Sequence, residues 1–222
     1  AASPMPDIAQ STAMQVPPAV AGAAAAPGAT PAPAAAIAAA APPPVPHERI
    51  DRLRAQAAAG DATAAYRLAV RYAHGEGMPQ DYRQAASWFR EAAITGNAAA
   101  EYNLGVMYER GLGLGKNMNE ALIWYHSAAA RNYASAQYNL AISYAQGHGT
   151  PQDMVSAARW YLRAAQQGVA AAMVNFAILC EGGQGTDQSP TMAYAWYRAA
   201  GTRGDDGAAK RADELYRLFS ED

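Results

Sequence analysis

A period of 36 residues runs through most of the chain and constrains its fold more than any other feature. The tryptophans share one repeat position and are Trp88, Trp124, Trp160 and Trp196. Gly-x-Gly pairs keep the same period and begin at Gly75, Gly111, Gly147 and Gly183. Repetition at this spacing is the signature of a helical array in which each unit packs only against its neighbours. The sequence therefore predicts an all-α solenoid.

Each repeat has the pattern of a helix-turn-helix unit. In the first repeat, Ala64, Leu68 and Tyr72 lie at i, i+4 and i+8, which is one stripe of a helix. Gly75 follows that stripe, where glycine in a left-handed conformation commonly ends a helix. Asp81 then stands where an N-cap residue is expected, and apolar residues follow it at helical spacing. Two helices per repeat are therefore predicted.

The chain divides near residue 46. Residues 1–46 contain 11 of the 14 prolines and no aromatic residue, a composition that predicts a disordered Ala/Pro-rich linker. The repeat domain is predicted over 47–222, with a half repeat at 47–59 and a C-terminal capping helix at 207–219. The full repeats between them are predicted at 60–95, 96–131, 132–167 and 168–203. Atypical ends that cap the stack are expected of a solenoid.

Composition excludes several classes of protein. A formal net charge of −2 argues against an electrostatic nucleic-acid binder. The single cysteine, Cys180, excludes an internal disulfide framework and a Cys-rich zinc site. No apolar run approaches the roughly 20 residues that a membrane-spanning helix needs. We therefore expect no nucleic-acid partner and no direct membrane insertion of this chain.

The repeats carry a specific motif, seen best in AEYNLGVMYERGLGLGKNMNEALIWYHSAAARN. Its pattern, A-x-x-x-LG-x-x-Y-x-x-G-x-G followed by A-x-x-W-Y-x-x-AA, resembles the Sel1-like repeat family of tetratricopeptide-type repeats. The resemblance implies a right-handed α/α superhelical solenoid that acts as a protein-interaction scaffold. The fourth repeat departs from the pattern, with Cys180 for Tyr and Gly201 for the second Ala. We expect that repeat to be the least tightly packed.

Within the family, an Ala/Pro linker before a short array is similar to envelope proteins of high-GC bacteria. Polar localisation factors of the PodJ type are one example, although this chain shows neither their coiled coil nor their membrane span. Some secreted Sel1-like proteins have disulfide-linked helix pairs and were credited with β-lactam binding. Cys180 stands alone, so that activity is not carried over. The resemblance favours a periplasmic or cell-envelope location, with the cytoplasm as the alternative.

No constellation of acid, base and nucleophile is visible in the sequence. Cys180 occupies a position that is Tyr in other repeats, which indicates a packing role. The segment from Gly111 to Lys116 lacks the Gly-Lys-Ser/Thr ending of a phosphate-binding loop. The histidines fall at unrelated repeat positions without metal-ligand spacing, and are His47, His74, His126 and His148. We therefore predict no catalytic residue, no metal, no cofactor and no enzymatic activity.

One polar position of the first helix suggests a partner-binding face. Arg67, Asn103, Asn139 and Asn175 are spaced by 36 residues and flank the core stripe, so we expect them on the concave surface. Asn side chains can donate to and accept from the backbone of an extended peptide. The alternative is that these asparagines brace the neighbouring helix. Adjacent positions vary between repeats, as a surface adapted to a partner would. The predicted partner-binding residues are Arg67, Arg71, Asn103, Met107, Arg110, Asn139 and Asn175.

The sequence thus favours a non-catalytic scaffold or adaptor that binds another protein on its concave face. The partner would be an extended peptide segment or a domain, and the setting would be cell-envelope organisation or signalling. An alternative is an envelope module that binds peptidoglycan or an exopolysaccharide. Tyr82, Tyr133 and Tyr194 are the candidates for stacking on sugar rings in that case. An enzyme ranks last.

Overall fold

A computed structural model describes residues 50–220, and this part of the chain contains ten α-helices and no β-strand. The predicted all-α architecture is thereby confirmed. The linker predicted at 1–46, the first residues of the half repeat, 47–49, and residues 221–222 lie outside the described residues. The helices are α1 Ile50–Ala58, α2 Ala62–His74, α3 Tyr82–Ile94, α4 Ala98–Arg110, α5 Met118–Ala130, α6 Ala134–Gln146, α7 Met154–Gln166, α8 Ala170–Gly182, α9 Pro190–Gly201 and α10 Asp206–Ser220.

The helices pack in chain order. The most extensive contacts join α2 with α3, α4 with α5, α6 with α7 and α8 with α9, and each of these pairs is one repeat. Smaller contacts join one repeat to the next, α1 packs on α2, and α10 packs on α9. The result is the nearest-neighbour stack that defines a solenoid. None of the ten described helices combines the length and apolar character that crossing a membrane requires.

The helix boundaries follow the predicted signals. The Asp81 carboxylate accepts hydrogen bonds from the backbone N–H groups of Arg83 and Gln84 at 2.9 and 3.0 Å, so it is the N-cap of α3. Gly75 ends α2 in the left-handed region with φ of 72°. Asn132 is the one non-glycine residue with positive φ in the described part of the chain, at 63°. Asn tolerates that conformation better than most residues, as expected for the turn position that other repeats fill with glycine.

The core consists of alanines that allow close helix contacts and of rings that fill the space between them. A buried ring follows each tryptophan, at Phe89, Tyr125, Tyr161 and Tyr197, and the rings of Tyr102, Tyr138 and Phe176 on the first helices are buried as well. Trp196 is also buried, whereas the other tryptophans are only half-buried. The repeat position with the clearest signal in the sequence is therefore not the deepest one in the structure.

The fourth repeat is not the loosest, contrary to the expectation from its departures. Cys180 and Trp196 are only 1% and 4% exposed. A side-chain carbon added at Gly201 would come within 2.9 Å of the Cβ atom of Ala209 in α10. Gly201 therefore permits a close approach of the last helix, and its missing methyl group leaves no gap.

Candidate partner-binding surface

The first helix of each repeat has a second face beside its core stripe. We call this face the concave stripe, because the sequence predicts that it lies on the concave surface. It comprises four positions per repeat at i, i+4, i+7 and i+11. Its members are Thr63, Arg67, Val70, His74; Ala99, Asn103, Val106, Arg110; Ser135, Asn139, Ile142, Gln146; and Ala171, Asn175, Ile178, Gly182.

The concave stripe is closed in the centre of the first two repeats and partly open in the last two. Val70, Asn103 and Val106 are all 0% exposed. By contrast, Asn139 and Ile142 of α6 are half-exposed. The half-exposed stripe residues of the third and fourth repeats are called the open segment, and are Ser135, Asn139, Ile142, Gln146, Ala171 and Ile178. Only this part of the stripe offers apolar surface to a partner.

The stripe asparagines contact tyrosines of the preceding repeat. The Asn175 amide donates to the Tyr138 hydroxyl at 3.4 Å, across a separation of 37 residues. Burial raises the pKa of Tyr66, and a hydrogen bond with Asn103 offsets part of that rise. Asn139 has the same relation to Tyr102. These bonds are the bracing role that the sequence left open as an alternative.

The structure divides the seven predicted partner-binding residues into a buried and an accessible group. Asn103 and Met107 are 0% exposed and Asn175 is 4% exposed, so these side chains lie in the core and not on the surface expected for them. The reason is that α4 packs against α3 and α5 and contacts Tyr66 of α2, so that its side chains from Ala100 to Met107 are all buried. The accessible group is Arg67, Arg71, Arg110 and Asn139. A role for these four in binding a partner remains a prediction.

The three tyrosines proposed for sugar stacking lie on different elements. The Tyr82 hydroxyl accepts from the Gln80 amide at 3.1 Å. Tyr133 packs on the ring of Tyr102, with ring centroids 5.2 Å apart. Tyr194, in α9, lies 6.0 Å from the ring of Tyr216. Each ring is half-buried by these or other contacts, which leaves part of it for a ligand.

The groups with catalytic potential are dispersed. In the described part of the chain, no cluster of three or more His, Cys, Asp or Glu side chains has the arrangement of a metal site. Burial raises the pKa of the Cys180 thiol to about 11, so the nucleophilic thiolate is scarce at neutral pH. Burial also lowers the pKa of His126. His74, His126 and His148 are exposed, and His47 lies outside the described residues.

Two regular sets of polar contacts were not foreseen from the sequence. The first joins residues 30 apart: the Glu101 carboxylate accepts from Arg131 at 3.2 Å, and also from Ser127, 26 residues away, at 2.7 Å. One repeat later, Gln137 accepts from Gln167 at 2.6 Å. Both residues of the pair change from one repeat to the next. A comparison of residues 30 apart between repeats would therefore have indicated this contact from the sequence.

The second set joins a second helix to the first helix that follows it, across 18 residues. Arg54 donates to the Tyr72 hydroxyl at 3.1 Å, and Arg90 donates to the Tyr108 hydroxyl at 3.0 Å. His126 and Tyr144 form the third such pair at 3.1 Å. The next pair in this register is Leu162 and Cys180, in which both polar partners are lost together. The substitution of Cys180 for Tyr is thus accompanied by the loss of its hydrogen-bonding partner, since Leu162 stands where the other repeats have Arg or His.

Comparisons with known proteins agree with this geometry. The family model described as Sel1 repeat matches residues 62–97, 98–133, 134–169 and 170–205. A protective antigen of uropathogenic Escherichia coli that displays an SLR fold is 32% identical, with a TM-score of 0.73 over 77% of this chain and 36% of its own. A Sel1 repeat protein from Oxalobacter formigenes is 31% identical, with a TM-score of 0.70 over 75% of this chain and 48% of its own. The chain thus matches less than half the length of either protein. A search of curated proteins gave no significant match.

Proposed function

Because the chain belongs to the Sel1 repeat family, we propose that it is a non-catalytic scaffold that binds another protein through the open segment of its concave stripe. Solenoids of this family commonly serve as protein-interaction scaffolds. The extended curved surface of a solenoid suits this role, because one partner can contact several repeats at once. We further propose that it acts in the organisation or signalling of a bacterial cell envelope, with the Ala/Pro-rich composition of 1–46 as the support.

The observation that carries the proposal is the mixed chemistry of the open segment. Ile142 and Ile178 are half-exposed at equivalent places in successive repeats, with Asn139 and Gln146 beside Ile142 on α6. Aliphatic side chains at repeat spacing can receive alternate side chains of an extended peptide, and the amides can bond to its backbone. At the equivalent places in the first two repeats, Val70 and Val106 are buried. We therefore place the partner on the C-terminal half of the array.

Changing the exposed aliphatic residues to Asp tests this assignment. Ile142→Asp puts a charge into the open segment, whereas Ile123→Asp puts one on α5, where Ile123 is 60% exposed and outside the stripe. We expect cross-linking and affinity capture to recover the partner with wild type and with Ile123→Asp. Recovery with Ile142→Asp should fall about tenfold or more, as for loss of a central apolar anchor. Equal recovery with both variants, at matched thermal stability, would overturn the assignment.

The location and the alternative function have separate tests. Fractionation of the source bacterium should place the protein in the envelope, and recovery only in the cytosol would contradict the envelope proposal. Binding to peptidoglycan or exopolysaccharide has weaker support, because Tyr82, Tyr133 and Tyr194 lie on different elements. Co-sedimentation with purified sacculi that is lost on Tyr194→Ala would favour this alternative. Absence of co-sedimentation would exclude peptidoglycan.

A further inference from the structure

An open surface pocket of about 380 Å³, called the cavity below, lies between the C-terminal ends of α5 and α7, where the second and third repeats meet. Four of its seven lining residues carry side-chain amides, one is cationic and none is acidic. It is separate from the open segment, since the two share no residue. The lining residues are Ala129, Ala130, Asn132, Gln137, Arg163, Gln166 and Gln167.

The same junction is filled by an arginine in the repeats on either side. A side-chain carbon added at Gly96 would meet the Arg131 guanidinium at 3.0 Å, and that arginine bonds to Glu101. One junction further on from the cavity, Arg203 lies against Gly168 in the same way, at 3.8 Å from such a carbon. The cavity has Gln167 at the position of these arginines. The shorter, neutral side chain leaves a space that a guanidinium occupies elsewhere.

At this junction the positive charge is carried by Arg163 and not by the residue equivalent to Arg131, and no carboxylate of the described residues pairs with it. Arg163 stands where the preceding repeat has Ser127, and its guanidinium lies 4.7 Å above the ring of Trp160. Among the described residues no hydrogen-bond acceptor or carboxylate engages this guanidinium. In the preceding repeat the charge of Arg131 is matched by the buried Glu101. An anion at the rim of the cavity would provide Arg163 with the corresponding match.

The hydrogen bonds of the lining amides determine which of their atoms are available to a ligand. Gln137 is fully engaged, because its amide nitrogen donates to Ala129 and Asn132 and its oxygen accepts from Gln167. The edges of a guanidinium stacked on a ring remain free to donate. We propose that the cavity binds a small carboxylate-bearing ligand, with Arg163 donating to the carboxylate and Gln166 to a neighbouring oxygen. A sugar acid and the C-terminal end of a peptide present this chemistry at a suitable size.

Direct binding measurements on the full chain test the proposal. Glucuronate and the dipeptide Ala-Ala are the carboxylate probes, and glucose and the amidated dipeptide are their neutral counterparts, all monitored by amide chemical shifts. Saturable binding of either carboxylate probe, with no binding of its neutral counterpart, is the expected result. The probe that binds distinguishes a sugar acid from a peptide terminus. If neither probe binds saturably, or neutral and charged probes bind alike, the proposal fails.

Three variants locate the site. Arg163→Gln removes the charge at the rim and should weaken binding at least tenfold, as for loss of a charge-assisted pair. Gln167→Arg places in the cavity the side chain that fills the neighbouring junctions, and should abolish binding. Arg159→Gln, on the exposed side of α7 and outside the cavity lining, is the matched control and should bind like wild type. Equal losses in the control and in Arg163→Gln would overturn the assignment.

Discussion

At the scale of single residues, the hydrogen bonding of one buried tyrosine hydroxyl differs between repeats. The Tyr125 hydroxyl donates to the Glu109 carboxylate at 2.5 Å, across 16 residues. Tyr161 occupies the same repeat position, but Ala145 stands where the glutamate would be. The Tyr161 hydroxyl is consequently buried without a carboxylate to accept its proton, and the Asn175 amide is its polar neighbour. A buried polar atom without a partner costs free energy, whereas a bond to a charged acceptor stabilises the fold.

This contrast predicts opposite results for one substitution at equivalent positions. Tyr125→Phe should lower the free energy of unfolding by about 1.5–3 kcal/mol, because it removes a bond to a charged group. Tyr161→Phe should leave that free energy within about 0.5 kcal/mol of wild type or raise it, because no bond to a charged group is lost. Urea denaturation followed by circular dichroism measures both. A loss on Tyr161→Phe as large as on Tyr125→Phe would contradict the prediction.

At the scale of the elements, polar links across 30 residues join a first helix to the end of the second helix of the same repeat. Glu101 of α4 is 2% exposed and accepts from Arg131, just after α5. The next repeat replaces this ion pair with Gln137 and Gln167. A carboxylate buried without its partner is strongly destabilising, whereas a neutral pair can replace an ion pair at little cost. The chain thus has an ion pair at this place in one repeat and a neutral amide pair at the equivalent place in the next.

Replacing the Glu101–Arg131 ion pair by a pair of glutamines tests whether the two arrangements are equivalent. Arg131→Gln alone should lower the free energy of unfolding by about 1–3 kcal/mol, because it leaves the Glu101 carboxylate buried without a cation. Glu101→Gln combined with Arg131→Gln should recover more than half of that loss, since it recreates the Gln137–Gln167 pair. A double-mutant cycle by chemical denaturation measures the coupling. Additive losses would show that the two links are not interchangeable.

At the scale of the whole molecule, α10 is the last described helix and packs on the fourth repeat. Ala208, Ala212 and Leu215 pack against the preceding helices. The opposite side is charged: Asp213 and Glu214 are exposed at positions that correspond to Ala177 and Ile178 of α8. The following helix α9 buries Ala177 and covers part of Ile178, so charge at the equivalent positions of α10 disfavours the same packing there. A polar outer side is a property expected of a terminal repeat.

The contact between α10 and the fourth repeat should depend on pH. The Arg211 side chain holds the pKa of the Glu181 carboxyl below its ordinary value of 4.5, and the Tyr197 hydroxyl also donates to that carboxyl. A depressed pKa means that the stabilisation is present above the ordinary value and is lost as pH falls through the folded-state value. Glu181→Gln should therefore cost about 1 kcal/mol near neutral pH and progressively less as the solution is acidified below about pH 4.

Denaturation curves recorded across that pH range test whether the effect of Glu181→Gln depends on pH. The gap between wild type and Glu181→Gln should close in acid, while Glu91→Gln, at an exposed position of α3, should match wild type at every pH. A gap that stays constant with pH would show that the Glu181 charge is not involved.

The charged side of α10 also predicts how self-association can be induced. Asp213→Ala with Glu214→Ile restores the small and aliphatic residues of α8 at these positions and creates an uncovered stacking side. We expect this variant to form larger species with rising concentration in analytical ultracentrifugation. Asp213→Asn with Glu214→Gln removes the charge but keeps the side polar, and should sediment like wild type. Larger species in both variants would indicate a general effect of lost charge.

The sequence predicted the elements well because their signals are local. The period of 36 residues placed the turns, and the capping role of Asp81 followed from adjacent residues. The partner-binding set was predicted less well. A helical wheel places Asn103 and Met107 beside the exposed positions of α4, but it cannot show that packing against the neighbouring helices buries them.

The chain alone therefore determined that it folds as a stack of helix pairs, because periodicity, glycine turns and alanine spacing are properties of each repeat. Tertiary structure decided which faces of those helices remain accessible. Burial depends on how closely successive repeats approach, and that distance is set jointly by residues far apart in sequence. This is why Asn139 remains half-exposed while Asn103 is buried, and why Gln167 borders a cavity where Arg131 fills one.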